Sequence, residues 1–240
     1  MQNTRFITDI KHKNLKSEDI SIVILSSVMQ PRTKTVGPIS LLQLNSKQNV
    51  MEHQAAALKI AFPKSEIILV SGYESHKISQ SKPSHVKLIE NPFYEERGNA
   101  EELRLALNII NNKTVIVIDG YTIFNPQAIS LINGHSSSIL TTESMVNSDN
   151  VGCYNNSGPL KILAFGHQNI WQNIGIFEER ELQLIHKFVN VKSKNKYCFY
   201  EIVNHAVANG GIINVVNQKY GFVQRIDNIK EVNETNFQSV

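Results

Sequence analysis

"ISIVILSS", residues 20–27, is the stretch on which the fold turns. It is almost continuously apolar and rich in β-branched residues, with none of the polar alternation that a half-wet strand shows. Such a strand needs cover on both faces, which places it inside a helix-covered sheet. Downstream, "VMEHQAAALKIAF" (50–62) spaces Val50, Ala57, Leu58 and Ala61 onto one helical face, and Pro63 stops it. "EIILVSGY" (66–73) reads as a second buried strand, ending at Gly72 where the chain must turn sharply. "HVKLIENP" (85–92) is a third strand. "GNAEELRLALNIINN" (98–112) follows as a helix, with Asn99 as its cap, Glu102 as capping-box partner, and Leu103, Ala106, Leu107 and Ile110 as its inner stripe. "TVIVIDGY" (114–121) is a fourth buried strand, and Asn125 with Pro126 opens another short helix. The order β-α-β-β-α-β-α predicts an α/β fold, with a mixed, mainly parallel sheet and helices on both faces.

The second half has a different texture. "SSSILTTES" (136–144), "VGCYNN" (151–156) and "LKILAFG" (160–166) are short strand-like pieces between turn residues, as in an antiparallel extension. "FEERELQLIHKFV" (177–189) and "FYEIVNHAVANGG" (199–211) are amphipathic helices, the latter closed by Gly210, before "IINVV" and "GFVQRI" return as strands. With 240 residues, no internal repeat and no linker-like tract, one domain is expected over residues 20–240, preceded by a polar extension at 1–19.

Composition excludes several classes of function. The net charge of +3 is spread among both signs with no long basic run, so nucleic acid is not an expected partner. Cys153 and Cys198 fit no metal spacing, and the eight histidines show no paired one. Apolar runs fall short of a membrane span, and residues 1–19 lack the apolar middle of a signal peptide, so a cytoplasmic protein without membrane partners is expected. Ser26 and Ser27 follow a strand without the glycines of a nucleophile elbow, which argues against a hydrolase.

Five phrases stand together in an order that resembles the nucleotidyltransferases that activate sugar-1-phosphates or phosphocholine with an NTP. These are "IILVSGY", "ENPFYEERGNAEELRLAL", "TVIVIDGYTIF", "NIGIF" and "GFVQRIDNIKEV", and the likeness runs from Ile20 to about Glu231. It implies a Rossmann-like domain of glycosyltransferase-A type. It also implies Mg²⁺-dependent transfer of a nucleotidyl group, from CTP or UTP, to a phosphorylated small-molecule acceptor. In such chemistry the attacking phosphate is already ionised, so the site mainly has to hold several negative charges together. By the resemblance, Arg32 would contact phosphate and serve as the catalytic cation. Ser26, Ser27, Gly72, Tyr73 and Asn99 would bind the nucleotide, and Asp119 and Asp227 would carry the metal.

The chain also departs from that pattern. Ser27, Val28, Met29 and Gln30 stand where the family has its glycine-rich phosphate loop, and a Cβ there obstructs close approach of backbone to phosphate. Pro38 matches, but Ile39 replaces the lysine that follows it, with Lys34 the nearest substitute cation in the loop. Tyr121 replaces the metal-binding Asp, and Glu102 a serine near the base. Two readings follow. One is a diverged nucleotidyltransferase-like protein of reduced competence. The other is a non-catalytic protein that kept the fold and gained protein partners or self-association, for instance as a subunit of an assembly such as a virion.

Overall fold

The computed structural model describes residues 16–27, 37–44, 47–133, 136–145 and 149–226. Arg32, Lys34, Asp227 and residues 1–15 of the expected extension lie outside them. Ser17–Asp19 form a single 3₁₀ turn leading into the first strand.

The central strand is β1 (Ile20–Ser26), every residue of which is buried. It pairs in parallel with β2 (Glu66–Ser71) on one side and β4 (Thr114–Asp119) on the other, and β3 (Val86–Glu90) extends the parallel block beyond β2. Across β4 the sheet changes direction: β10 (Asn169–Glu178) runs antiparallel to β4 and to β6 (Ser138–Glu143). β11 (Asn214–Asn217) then pairs in parallel with β6. The principal order is β3-β2-β1-β4-β10-β6-β11-β8, with β8 at Gly158–Pro159, and β7 (Val151–Cys153) and β9 (Ala164–Phe165) attached beside β10. A separate two-stranded ribbon joins β5 (Thr122–Phe124) to β12 (Val223–Arg225). The mixed sheet predicted from the sequence is therefore the one observed.

Alternation along β1 explains the need for two covered faces. Ile20, Ile22 and Ile24 enter one apolar cluster with Met51 and Leu58 of helix α1 (Val50–Ala61), Ile78 of α2 (Ser75–Ser81) and Ile129 of α4 (Pro126–Ile129). Val23 and Leu25 enter the opposite one, with Leu103 of α3 (Asn99–Leu107), Ile185 of α5 (Glu179–Val189) and Ile202 of α6 (Phe199–Ala208). The Pro126 start is as read, with Asn125 accepting from the Ala128 amide at 3.0 Å. Helix α2 had no separate signal in the sequence; seven residues with one buried isoleucine do not make a period. Ile110, assigned to the stripe of α3, lies beyond that helix and only partly packs on the core. Both cysteines are free thiols, and no helix among the described residues is long and apolar enough to cross a membrane.

Candidate functional site

The parallel strands deliver the ends of β1 and β4 side by side, where open α/β sheets bind ligands. Two glycines let these ends close up. The Gly120 amide donates to the Leu25 carbonyl at 2.7 Å, and a Cβ on Gly120 would lie 2.7 Å from that of Ser26. A Cβ on Gly72 would fall 2.4 Å from the Cβ of Tyr94 and 2.7 Å from the Ser27 carbonyl. The chain does turn at Gly72, whose carbonyl accepts the Ser75 amide at 3.1 Å, but what demands glycine there is close packing; the left-handed residue of the turn is Glu74, at φ 51°.

Ser26 and Ser27, at the tip of β1, are tied into a buried polar network. The Ser26 and Ser40 hydroxyls are 2.6 Å apart. The Ser27 amide donates to Glu102 Oε1 at 2.6 Å, and the Ser27 hydroxyl accepts from Asn91 Nδ2 at 3.0 Å. Glu102 Oε2 accepts from Asn99 Nδ2 at 2.8 Å, while Asn99 Oδ1 receives the Phe199 amide at 3.1 Å. This overturns the capping-box reading. Gly98 is the N-cap of α3 and Asn99 its first residue, and Glu102 bonds the Asn99 side chain and, across the sheet edge, the Ser27 amide, not the backbone amide of an N-cap. Gly98 fits the cap because a Cβ there would lie 2.6 Å from the Lys196 carbonyl oxygen.

Glu102 is fully buried. Burial pushes its carboxyl up to about 7, with the Asp119 charge adding to the rise, against the opposing hydrogen bonds of Ser27 and Asn99. Asp119, at the end of β4, accepts the Tyr121 amide at 3.0 Å on Oδ1 and Asn173 Nδ2 at 3.4 Å on Oδ2. The first of these is the side-chain turn that aspartate commonly makes at a strand end. Asn173 sits at φ 54°, where the pairing of β10 with β6 shifts register between Trp171 and Gly175.

These groups border a cleft of about 310 Å³. Leu25, Asn99, Glu102, Asp119 and Tyr121 form one side; Asp149, Val151, Phe165, Phe199 and Tyr200 come from the second half of the chain, with Asn173, Cys198 and Arg225. Of the residues expected to bind nucleotide or metal, Asn99 and Asp119 wall the cleft. Ser26 and Ser27 lie at its buried inner edge, hydrogen-bonded to Ser40 and Glu102. Gly72 and Tyr73 stand apart from its walls at the end of β2, the Tyr73 ring 6.3 Å from that of Tyr94. Phe165 and Tyr200, which sequence reasoning missed, come from the second half of the chain, where no motif marked them; Arg225 lies in the phrase "GFVQRIDNIKEV" but was given no role. Phe165 and Tyr200 meet edge to face, their centroids 5.8 Å apart.

Two of the departures from the resemblance meet in space. Ile39, in place of the lysine, and Tyr121, in place of the aspartate, are both buried in one apolar cluster with Leu44, Val50, Ile123 and Ile226. Where the resemblance would put a cation and a carboxylate, this chain has two side chains in apolar packing, and neither charge is stranded alone. The described residues hold only part of the expected magnesium site, because Asp227 lies outside them. Among them no group of three or more His, Cys, Asp or Glu side chains converges to hold a metal, and Asp119 is engaged by Tyr121 and Asn173.

No family model matches the sequence, and no curated protein matches it either. Solved structures do match in shape. The CTP:phosphocholine cytidylyltransferase from Streptococcus pneumoniae superimposes with a TM-score of 0.72 at 15% identity, over 90% of this chain and 96% of that one. The inositol-1-phosphate CTP transferase from T. maritima gives 0.70 at 14% identity, over 89% and 93%. A UDP-glucose pyrophosphorylase complexed with UDP-glucose gives 0.70 at 11%, over 90% and 96%. The chain has the nucleotidyltransferase fold. At these identities the likeness carries the architecture alone, and what the cleft of this chain can hold depends on its own side chains.

Proposed function

We propose that the protein is a diverged nucleotidyltransferase-like protein that keeps the cleft of the fold but has reduced equipment for phosphate and metal. The observation that carries this reading is the apolar cluster of Ile39 and Tyr121 beneath a cleft that still opens beside Asp119 and Asn99. The substrates in keeping with it are CTP or UTP and a phosphorylated small-molecule acceptor. In this reading Arg32 contacts phosphate, Asp119 and Asp227 supply carboxylates for Mg²⁺, Asn99 shapes the pocket, and Tyr73 flanks it from the end of β2 without lining it. The missing lysine and aspartate lower affinity and rate together, because both act on the charge that a triphosphate brings.

Thermal unfolding with each of the four NTPs plus Mg²⁺ tests it. A bound nucleotide at about 100 times its Kd raises stability by about 2.7 kcal/mol, readily seen as a higher Tm. Pyrophosphate release against sugar phosphates and phosphocholine then identifies the acceptor. A Tm indifferent to every nucleotide would remove the reading.

A second reading has its own observation. Met145, Tyr154, Ile162 and Phe165, within and around the short strands β7–β9, are each more than half exposed. These four on and around one extension, beside Ile60, Ile109, Ile212 and Tyr220 exposed elsewhere, favour a surface for protein partners or for another copy of this chain. Light scattering on the purified protein separates the two: a strictly monomeric species that retains no partner counts against the assembly reading.

A further inference from the structure

The buried carboxylate of Glu102 is the least expected group in the cleft. An ionisable side chain is seldom fully buried unless something holds it, and every partner recorded for Glu102 is a donor aimed at its oxygens. One of these donors is unusual in its position. The Ser27 amide is the first backbone N–H beyond the end of β1, at the carboxyl edge of a parallel sheet, where successive amides ordinarily point toward a bound anion. Here that amide already has its anion at 2.6 Å, supplied by the chain itself.

The surroundings reinforce the effect. Glu102, Asp119 and Asp149 stand in the cleft wall with Arg225 as the one guanidinium among the described lining residues. Asn99 and Asn91 fix the pair from both sides, through Glu102 Oε2 and the Ser27 hydroxyl. Asn99 is itself anchored by the first amide of α6, so Glu102 is held against β1 by elements from both halves of the chain.

We propose that Glu102 determines ligand selectivity by acting as a built-in anion: its carboxylate occupies the Ser27 amide and keeps triphosphates and other anionic ligands from that end of the cleft. The inference rests on the nucleotidyltransferase-like reading for the identity of the excluded ligand. Its physical core is the Ser27–Glu102 contact.

Three proteins test it: the wild type, Glu102→Ser, which removes the carboxylate, and Glu102→Gln, which keeps an oxygen for the Ser27 amide. Calorimetric titration with CTP, UTP and inorganic pyrophosphate at pH 8, above the value of about 7 for the Glu102 carboxyl, is the binding readout, with hydrogen exchange of the Ser27 amide alongside. Glu102→Ser should bind at least one of these anions about 10-fold more tightly than the wild type, the factor that about 1.4 kcal/mol produces, while its Ser27 amide exchanges faster. Glu102→Gln should retain protection of that amide and gain less.

A folded Glu102→Ser that binds every anion no more tightly than the wild type overturns the inference. If both then bind CTP equally well, the nucleotide reading stands without it; if neither binds any anion, both fall. Tighter pyrophosphate binding without any nucleotide binding supports the inference while counting against the nucleotide reading. The wild type alone provides a test that needs no variant. Its Ser27 amide should be as protected as those of β1 and slowed by excess CTP no more than they are, and an amide that exchanges freely, or is slowed by CTP more than those of β1, overturns the inference.

Discussion

The body of the sheet and its carboxyl rim obey different rules. In the body, Ile20, Ile22 and Ile24 face one apolar cluster and Val23 and Leu25 the other, so stability comes from area removed from water. At the rim, where β1 ends, the buried Ser26, Ser27, Asn91 and Glu102 and the half-buried Asn99 are held instead by directed hydrogen bonds. The contrast shows that burial alone does not say what a residue is for. Apolar burial tolerates exchange of one side chain for another of like volume, whereas a buried polar group depends on each partner being present.

Three measurements can break or sharpen that contrast. The largest effect is expected in the body: Ile22→Ala, at a fully buried position between β2 and β4, should cost about 2 to 5 kcal/mol in urea unfolding with an unchanged m-value. A loss below about 1 kcal/mol would mean that the sheet body is not tightly packed there.

The next effect is specific to the rim and depends on pH. With the Glu102 carboxyl raised from 4.5 to about 7, its contribution is fully present below pH 4.5 and is lost as pH rises through 7, because the folded state retains a proton that the unfolded chain has released. Relative to Glu102→Gln, the wild type should therefore lose about 3 kcal/mol of stability between pH 4.5 and 8. The comparison with the variant is needed because His53 works in the opposite sense. Burial lowers its pKa, against its hydrogen bond to the Phe124 carbonyl, so its contribution is lost as pH falls below 6.5. Parallel pH profiles for the two proteins would show that Glu102 titrates normally and that the rim is wetter than described.

The smallest effect joins the two regions. Gly72→Ala places a Cβ against Tyr94 and the Ser27 carbonyl and should cost about 1 to 3 kcal/mol, the range of overpacking. Its Ser27 amide should also exchange faster, whereas Ile22→Ala should affect that amide only through global unfolding. Equal exchange in the two variants would erase the distinction between body and rim.

The body was legible because its physics is local. "ISIVIL", "EIILVS" and "TVIVID" each announce a covered strand, since β-branched and apolar residues in short runs suit nothing else as well. Asn125 before Pro126 marked a helix start for the same reason. The rim was read less well. Asn99 and Glu102, three apart at a helix start, carry the signature of a capping box, and only the position of β1 reveals that the carboxylate bonds elsewhere. Phe165 and Tyr200 had no local signature, because the fold brings them to the cleft on a strand and a helix far along the chain from β1 and β4.

By itself, then, the sequence determined the alternation of strands and helices, the two covered faces and the replacement of a lysine and an aspartate by Ile39 and Tyr121. Tertiary structure decided that those two replacements share one apolar cluster, that Gly72 and Gly120 serve close approach, and that Glu102 faces Ser27. The physical reason is range. Periodicity and propensity act over a few neighbouring residues, whereas the partner of a buried charge is chosen by whichever strand end the fold brings beside it, here 75 positions away in the chain.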